Sequence, residues 1–109
     1  MNDVLVSPTF IDASVSATSK RHLLLSLAQR VAAPYGVEER DVLEALQARE
    51  QEGSTGAGDG VAIPHAKLAE LTRTVTYFAR LEEPVDYDSL DDEPVDLVFL
   101  ILAPESANG

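Results

Sequence analysis

The run Val95–Leu102 (VDLVFLIL) constrains the fold more than any other part of the chain, because every residue in it except Asp96 is apolar. It is far too short to span a bilayer, and it lacks the strict alternation of a strand with one wet face. The pattern predicts a strand buried on both faces of a sheet, ended by Ala103-Pro104. Such a strand needs a layer of structure above it and another below.

Two helices are predicted upstream. Ser19 is a suitable N-cap, and Leu23, Leu24, Leu27, Ala28 and Val31 form a helical stripe from Lys20 to about Pro34, closed by Pro34 and Gly36. A second helix is expected from Glu38 to about Glu50, with acidic residues at its positive end. Val42, Ala45, Leu46 and Arg49 share one of its faces, and Gly53 terminates it. Beyond the glycine-rich stretch 53–60 come a short apolar strand, Val61-Ala62-Ile63, and an alternating strand from Thr74 to Leu81. Residues 82–93 read as an acidic connection. Residues 1–18 form an N-terminal arm in which Val4 to Val6 could supply an edge strand, Pro8 interrupting anything longer.

Together these elements predict one α/β domain over residues 1–109. Its architecture is a mixed sheet covered by helices on both faces, a three-layer α/β/α arrangement. Only two helices precede the buried strand and none is predicted after it. The chain is therefore expected to be incomplete at its C-terminus, with the C-terminal helices missing.

Charge removes several function classes. Nineteen acidic against eight basic side chains give a formal charge of −11, which repels nucleic-acid phosphates and anionic membranes and favours basic protein partners. Nucleic-acid binding and membrane insertion are not expected. The chain has no cysteine, hence no disulfide or thiolate chemistry, and no convincing targeting segment, which together suggest a cytoplasmic protein.

The chemistry concentrates in Gly53–Leu68 (GSTGAGDGVAIPHAKL). Pro64 biases Ile63 towards an extended conformation and holds His65 at a strand end. An imidazole there can act as nucleophile, proton shuttle or ligand, or can be a partly buried histidine bonded to backbone. With no cysteine and with His22 remote in sequence, a metal site is not expected, and neither is a cofactor. The glycines can let backbone N–H groups approach a phosphate, or can simply turn the chain. No Gly-Lys-Ser/Thr element follows them, so this is not a Walker loop. Arg49 can complement the helix dipole, or with Ser54, Thr55 and His65 can hold a phosphoryl group, its forked donors facing the oxygens and the imidazole nitrogen attacking. The acidic tract 82–93 lacks the spacing of a calcium loop and reads as a solvated surface able to steer a basic partner.

In order along the chain, Arg49-Glu50, Gly53-Ser54-Thr55-Gly56 and Gly58 through Val61-Ala62-Ile63-Pro64-His65 resemble the enzyme IIA domains of the fructose–mannitol class. These domains belong to the bacterial phosphoenolpyruvate-dependent phosphotransferase system. Pro84-Val85-Asp86-Tyr87-Asp88 and Pro94 through Phe99 extend the resemblance, which covers residues 19–104 and is nearest to the nitrogen-regulatory branch.

The resemblance implies a phosphohistidine relay protein, a phosphocarrier rather than a turnover enzyme. His65 would accept a phosphoryl group on Nε2 from a histidine-containing phosphocarrier, and Arg49 would stabilise that group with Ser54 and Thr55 as its neighbours. A regulatory target protein or a IIB domain would be the next partner. The family's active site also uses a second histidine, in a His-Leu pair shortly after the position of Pro104, and this chain ends before it. A sugar-specific IIA component, or a binding module with an incomplete site, are the competing readings.

Overall fold

A computed structural model describes residues 10–105, with side chains from Val15 onward. Val4 to Val6 lie outside the described residues. The elements in chain order are β1 (Phe10–Val15), α1 (Lys20–Tyr35), α2 (Glu39–Gln51), β2 (Gly56–Gly58), β3 (Val61–Ala62), β4 (His65–Leu68), β5 (Val75–Val85) and β6 (Val95–Pro104). The predicted helices are present. Ser19 caps α1 by accepting from the His22 N–H, and Gly36 closes it in the left-handed conformation (φ 67°). Glu38 precedes α2.

All the strands join one mixed sheet in the order β1-β5-β6-β3-β2, with β4 pairing with β6 beyond β3. β5 and β6 are antiparallel, while β1 runs parallel to β5 and both β3 and β4 run parallel to β6. Register shifts in the β1–β5 and β5–β6 pairs curl the sheet. Two differences from the sequence reading stand out. Phe10–Val15 is a paired strand rather than an arm. The acidic connection is also shorter than expected, since β5 continues to Val85 and the period-two burial runs on through Tyr87 and Ser89. The outward-pointing acidic side chains at alternate positions hid that period.

One core holds the fold together. Leu23, Leu27 and Val31 of α1 and Val42 and Leu46 of α2 pack with Tyr77 and Ala79 of β5 and Val98, Leu100 and Leu102 of β6. The expected burial of Val95–Leu102 on both faces is met on one. The even-numbered residues of this stretch from Val98 onward are buried, whereas Leu97, Phe99 and Ile101 on the opposite face are half-buried. Both described helices contribute to the same core, and Phe78 and Phe99 meet edge to face on the other side (centroids 6.1 Å apart, interplanar angle 84°). No helix among the described residues is long and apolar enough to cross a membrane.

Ile63-Pro64 separates β3 from β4 along the same edge of β6. Pro64 has no N–H to offer, but its carbonyl accepts from the Ile101 N–H at 3.0 Å. His65 therefore opens β4, opposite Ile101, with its side chain exposed beside the last turn of α2.

Candidate functional site

The histidine's hydrogen bonds define its chemical form. His65 Nδ1 lies 2.9 Å from the Ile63 carbonyl oxygen, which can only accept, so Nδ1 carries the proton. Arg49 Nε lies 3.2 Å from Nε2 and can only donate, so Nε2 presents a lone pair. The arrangement selects the neutral Nδ1–H tautomer and aims its free nitrogen at a guanidinium. Arg49 is held in turn by its Nη1, which donates to the Gly53 carbonyl at 2.9 Å. An open groove of about 550 Å³ adjoins the pair, with Ala45, Ala48, Ala66, Ile101 and Ala103 as its apolar lining.

The structure thus brings Arg49 and His65 together. Ser54 and Thr55 lie in the same loop but direct their hydroxyls to protein partners. Ser54 Oγ donates to the Tyr87 carbonyl at 3.0 Å and accepts from the Gly56 N–H at 3.1 Å. Thr55 donates twice to Glu50, through its N–H to Oε1 (3.0 Å) and through its hydroxyl to Oε2. The glycines turn the chain between β2 and β3, where Gly58, Asp59 and Gly60 all have positive φ (97°, 56° and 83°). Gly56 is constrained differently, since a Cβ there would collide with the Ser89 side chain. His22 is exposed and accepts from the Thr18 N–H at 3.1 Å, near the cap of α1.

Sequence reasoning missed the polar hub behind the site. Besides the two Thr55 donors, Glu50 receives the Tyr87 hydroxyl at 2.9 Å and the Lys20 ammonium at 3.1 Å, and its side chain is only 6% exposed. Burial pushes the Glu50 carboxyl up, but the Thr55, Lys20 and Tyr87 hydrogen bonds outweigh burial and hold it below its usual value. Tyr87 is fully buried, and burial, with the Glu50 charge beside it, raises its phenol well above the ordinary range. Lys20 sits 4.6 Å from the centre of the Tyr87 ring. Two signals pointed here: a glutamate directly after Arg49, and an aromatic residue in phase with Val85 and Ser89.

The exposed acidic residues 86–93 form no group with His or further carboxylates able to hold a metal, among the described residues. The Asp59 and Glu93 N–H groups donate to the Asp91 carboxylate and lower its pKa, tying this segment to the β2–β3 turn.

Comparison with known proteins matches residues 4–109 to the family described as phosphoenolpyruvate-dependent sugar phosphotransferase system, EIIA 2. A nitrogen regulatory protein of Bradyrhizobium diazoefficiens is 48% identical over 103 residues, which are 94% of this chain and 67% of that protein. The crystal structure of nitrogen regulatory protein IIA-Ntr from Neisseria meningitidis superposes with a TM-score of 0.83 at 38% identity, covering 90% of this chain and 66% of that one. The complex of enzyme IIA-Mtl with phosphorylated enzyme IIB-Mtl from Escherichia coli shares the fold (TM-score 0.72, 23% identity, 88% of this chain and 68% of that one). The chain spans between 56% and 67% of the length of the nitrogen regulatory proteins it matches.

Proposed function

Because the chain belongs to the EIIA 2 family of the phosphoenolpyruvate-dependent sugar phosphotransferase system, we propose that it is a phosphohistidine relay with a regulatory role, carrying one phosphoryl group on His65. Residues 1–109 belong to a single IIA domain in the cytoplasm, and the phosphoryl group comes from a histidine-containing phosphocarrier. The observation that carries this reading is the His65 tautomer: Nδ1–H bonded to the Ile63 carbonyl and Nε2 unprotonated, its lone pair facing Arg49 Nε.

The Nε2 lone pair attacks the donor's phosphorus. As the new N–P bond forms, the donor's P–N bond breaks and its electron pair returns to the donor imidazole. The positive charge that develops on the His65 ring is stabilised by the Nδ1–H···O=C hydrogen bond to Ile63. Arg49 leaves the imidazole as the lone pair is used and turns its donors to the phosphoryl oxygens, a role that suits its forked geometry. Ser54 and Thr55 neighbour the phosphoryl group through the loop they anchor. Phosphoryl transfer asks chiefly for positioning and charge stabilisation, and this pair supplies both.

Phosphorylation adds roughly −1.5 to −2 charge at the surface, enough to change which partner binds. The similarity to nitrogen regulatory proteins over most of the chain supports a regulatory role in which this chain signals nitrogen, carbon or ion-transport status to a target protein. A sugar-specific role, with transfer to a IIB domain, is the second reading, supported by the family's description.

Incubation with phosphoenolpyruvate, enzyme I and the phosphocarrier tests the proposal by intact mass. One acid-labile phosphoryl adduct on the wild type, absent from His65→Ala, is expected. A folded wild-type chain that gains no mass would overturn it. Onward transfer to a IIB domain separates the two readings.

A further inference from the structure

We infer that Glu50, Thr55 and Tyr87 are positioning residues for His65 and Arg49, acting as one brace that sets both halves of the phosphoacceptor site. This rests on the reading of His65 as the acceptor. The connections are continuous. Glu50 fixes Thr55 through both its N–H and its hydroxyl. The Thr55 carbonyl then accepts from the Ile63 N–H at 3.0 Å, and the Ile63 carbonyl accepts from His65 Nδ1 at 2.9 Å. On the other side, the Ser54 hydroxyl is pinned to the Tyr87 carbonyl, and the adjacent Gly53 carbonyl holds Arg49 Nη1. Arg49 and Glu50 leave consecutive positions of α2, so the helix end itself closes the circuit.

Each link has a chemical consequence at Nε2. If Thr55 is released, Ile63 loses its register, and the carbonyl that keeps the proton on Nδ1 moves. The imidazole then keeps only Arg49 to select its tautomer, and the form whose Nε2 carries hydrogen and cannot attack gains population. If Gly53 shifts, the guanidinium loses its second anchor and with it the geometry to meet the phosphoryl oxygens. Tyr87 contributes its hydroxyl to Glu50 and its backbone to Ser54, and Lys20 balances the carboxylate's charge.

The experiment compares wild type with Glu50→Gln, Thr55→Val, Thr55→Ser and Tyr87→Phe in the full chain. Phosphoramidate serves as the donor, a small molecule whose P–N bond breaks with loss of ammonia and which needs no docking surface. Two readouts are taken: the rate of phosphoryl uptake by intact mass, and the His65 tautomer from imidazole ¹⁵N NMR shifts. Uptake is expected to fall about 10-fold in Tyr87→Phe and about 100-fold in Glu50→Gln and Thr55→Val, displacements of this kind costing such factors in positioned reactions. Thr55→Ser, which keeps the hydroxyl, restores wild-type uptake.

The slow variants show a mixed tautomer, whereas Val31→Ala, a core change remote from the brace, keeps the wild-type tautomer despite lost stability. Folded variants with wild-type tautomer and uptake overturn the brace alone. Absence of uptake by the wild type, with its spectrum intact, instead overturns the acceptor reading beneath it.

Discussion

Arg49 and Glu50 are consecutive residues at the end of α2, yet they enter opposite environments. The Arg49 guanidinium reaches towards solvent and makes two hydrogen bonds, one of them to the exposed His65. The Glu50 carboxylate turns inward and is met by four donors from Lys20, Thr55 and Tyr87. A helix rotates about 100° per residue, so one step along it separates a group that must change partners during a reaction from one that must not. The groups proposed to react are lightly held, and the groups that place them are over-determined.

The comparison predicts opposite phenotypes for the two neighbours. The largest effect belongs to His65→Ala, which should abolish phosphoryl uptake while leaving stability within about 0.5 kcal/mol, since the side chain is exposed. Arg49→Ala should follow, with uptake lower by a factor on the order of 10²–10³ and little change in stability. Uptake assays beside urea unfolding measure both properties. A large loss of stability in Arg49→Ala would break the distinction.

Glu50→Ala should show the reverse balance. It strands Lys20 and the Thr55 and Tyr87 hydroxyls in a largely buried setting, so a loss of about 3 kcal/mol in unfolding free energy is expected. Gly56→Ala tests the loop from its other side. The new methyl meets the buried Ser89 side chain, and the clash should cost about 1–3 kcal/mol. The double variant Gly56→Ala/Ser89→Ala should recover only part of that loss, because it removes the partnerless Ser89 hydroxyl but leaves the residue-89 Cβ 2.9 Å from the new methyl.

What could be read from the sequence divides along the same line. The residue pattern brought Arg49 and His65 forward as candidates but left their roles open, and the family resemblance singled out the pair that the structure brings within 3.2 Å. Both helices and β6 were legible through capping residues and apolar pattern. Glu50, Tyr87 and Lys20 were not, because a charged residue that becomes buried looks like any surface charge until its partners, 30 residues or more away in sequence in the case of Lys20 and Tyr87, are brought to it. β1 was missed because its strand character comes from pairing with β5, more than 60 residues on, and not from its own alternation. Residues 82–89 misled for a related reason: the alternation breaks at exposed Glu83 and resumes with Val85, Tyr87 and Ser89 buried, while acidic side chains dominate the composition.

The smallest predicted effect is also the most diagnostic of the buried side, because it depends on pH alone. The Glu50 carboxyl is depressed in the folded chain, so its contribution is fully present above the unfolded value of about 4.3 and is lost as pH falls through the depressed one. Tyr87 is raised, so its contribution holds below the unfolded value of about 10 and is lost as pH rises beyond that. Unfolding free energy should therefore be flat between about pH 5 and 9 apart from other groups, with an acid arm and an alkaline arm set by two residues that touch. Glu50→Gln should lower the plateau and flatten the acid arm, while Tyr87→Phe should cost about 1 kcal/mol at neutral pH and flatten the alkaline arm. Asp91→Asn should leave the acid arm nearly unchanged, since that carboxylate, although also depressed, is fully exposed. If Asp91→Asn flattened the acid arm as much as Glu50→Gln, the buried hub would not be what couples this fold to protons, and the contrast between the two sides of α2 would lose its energetic basis.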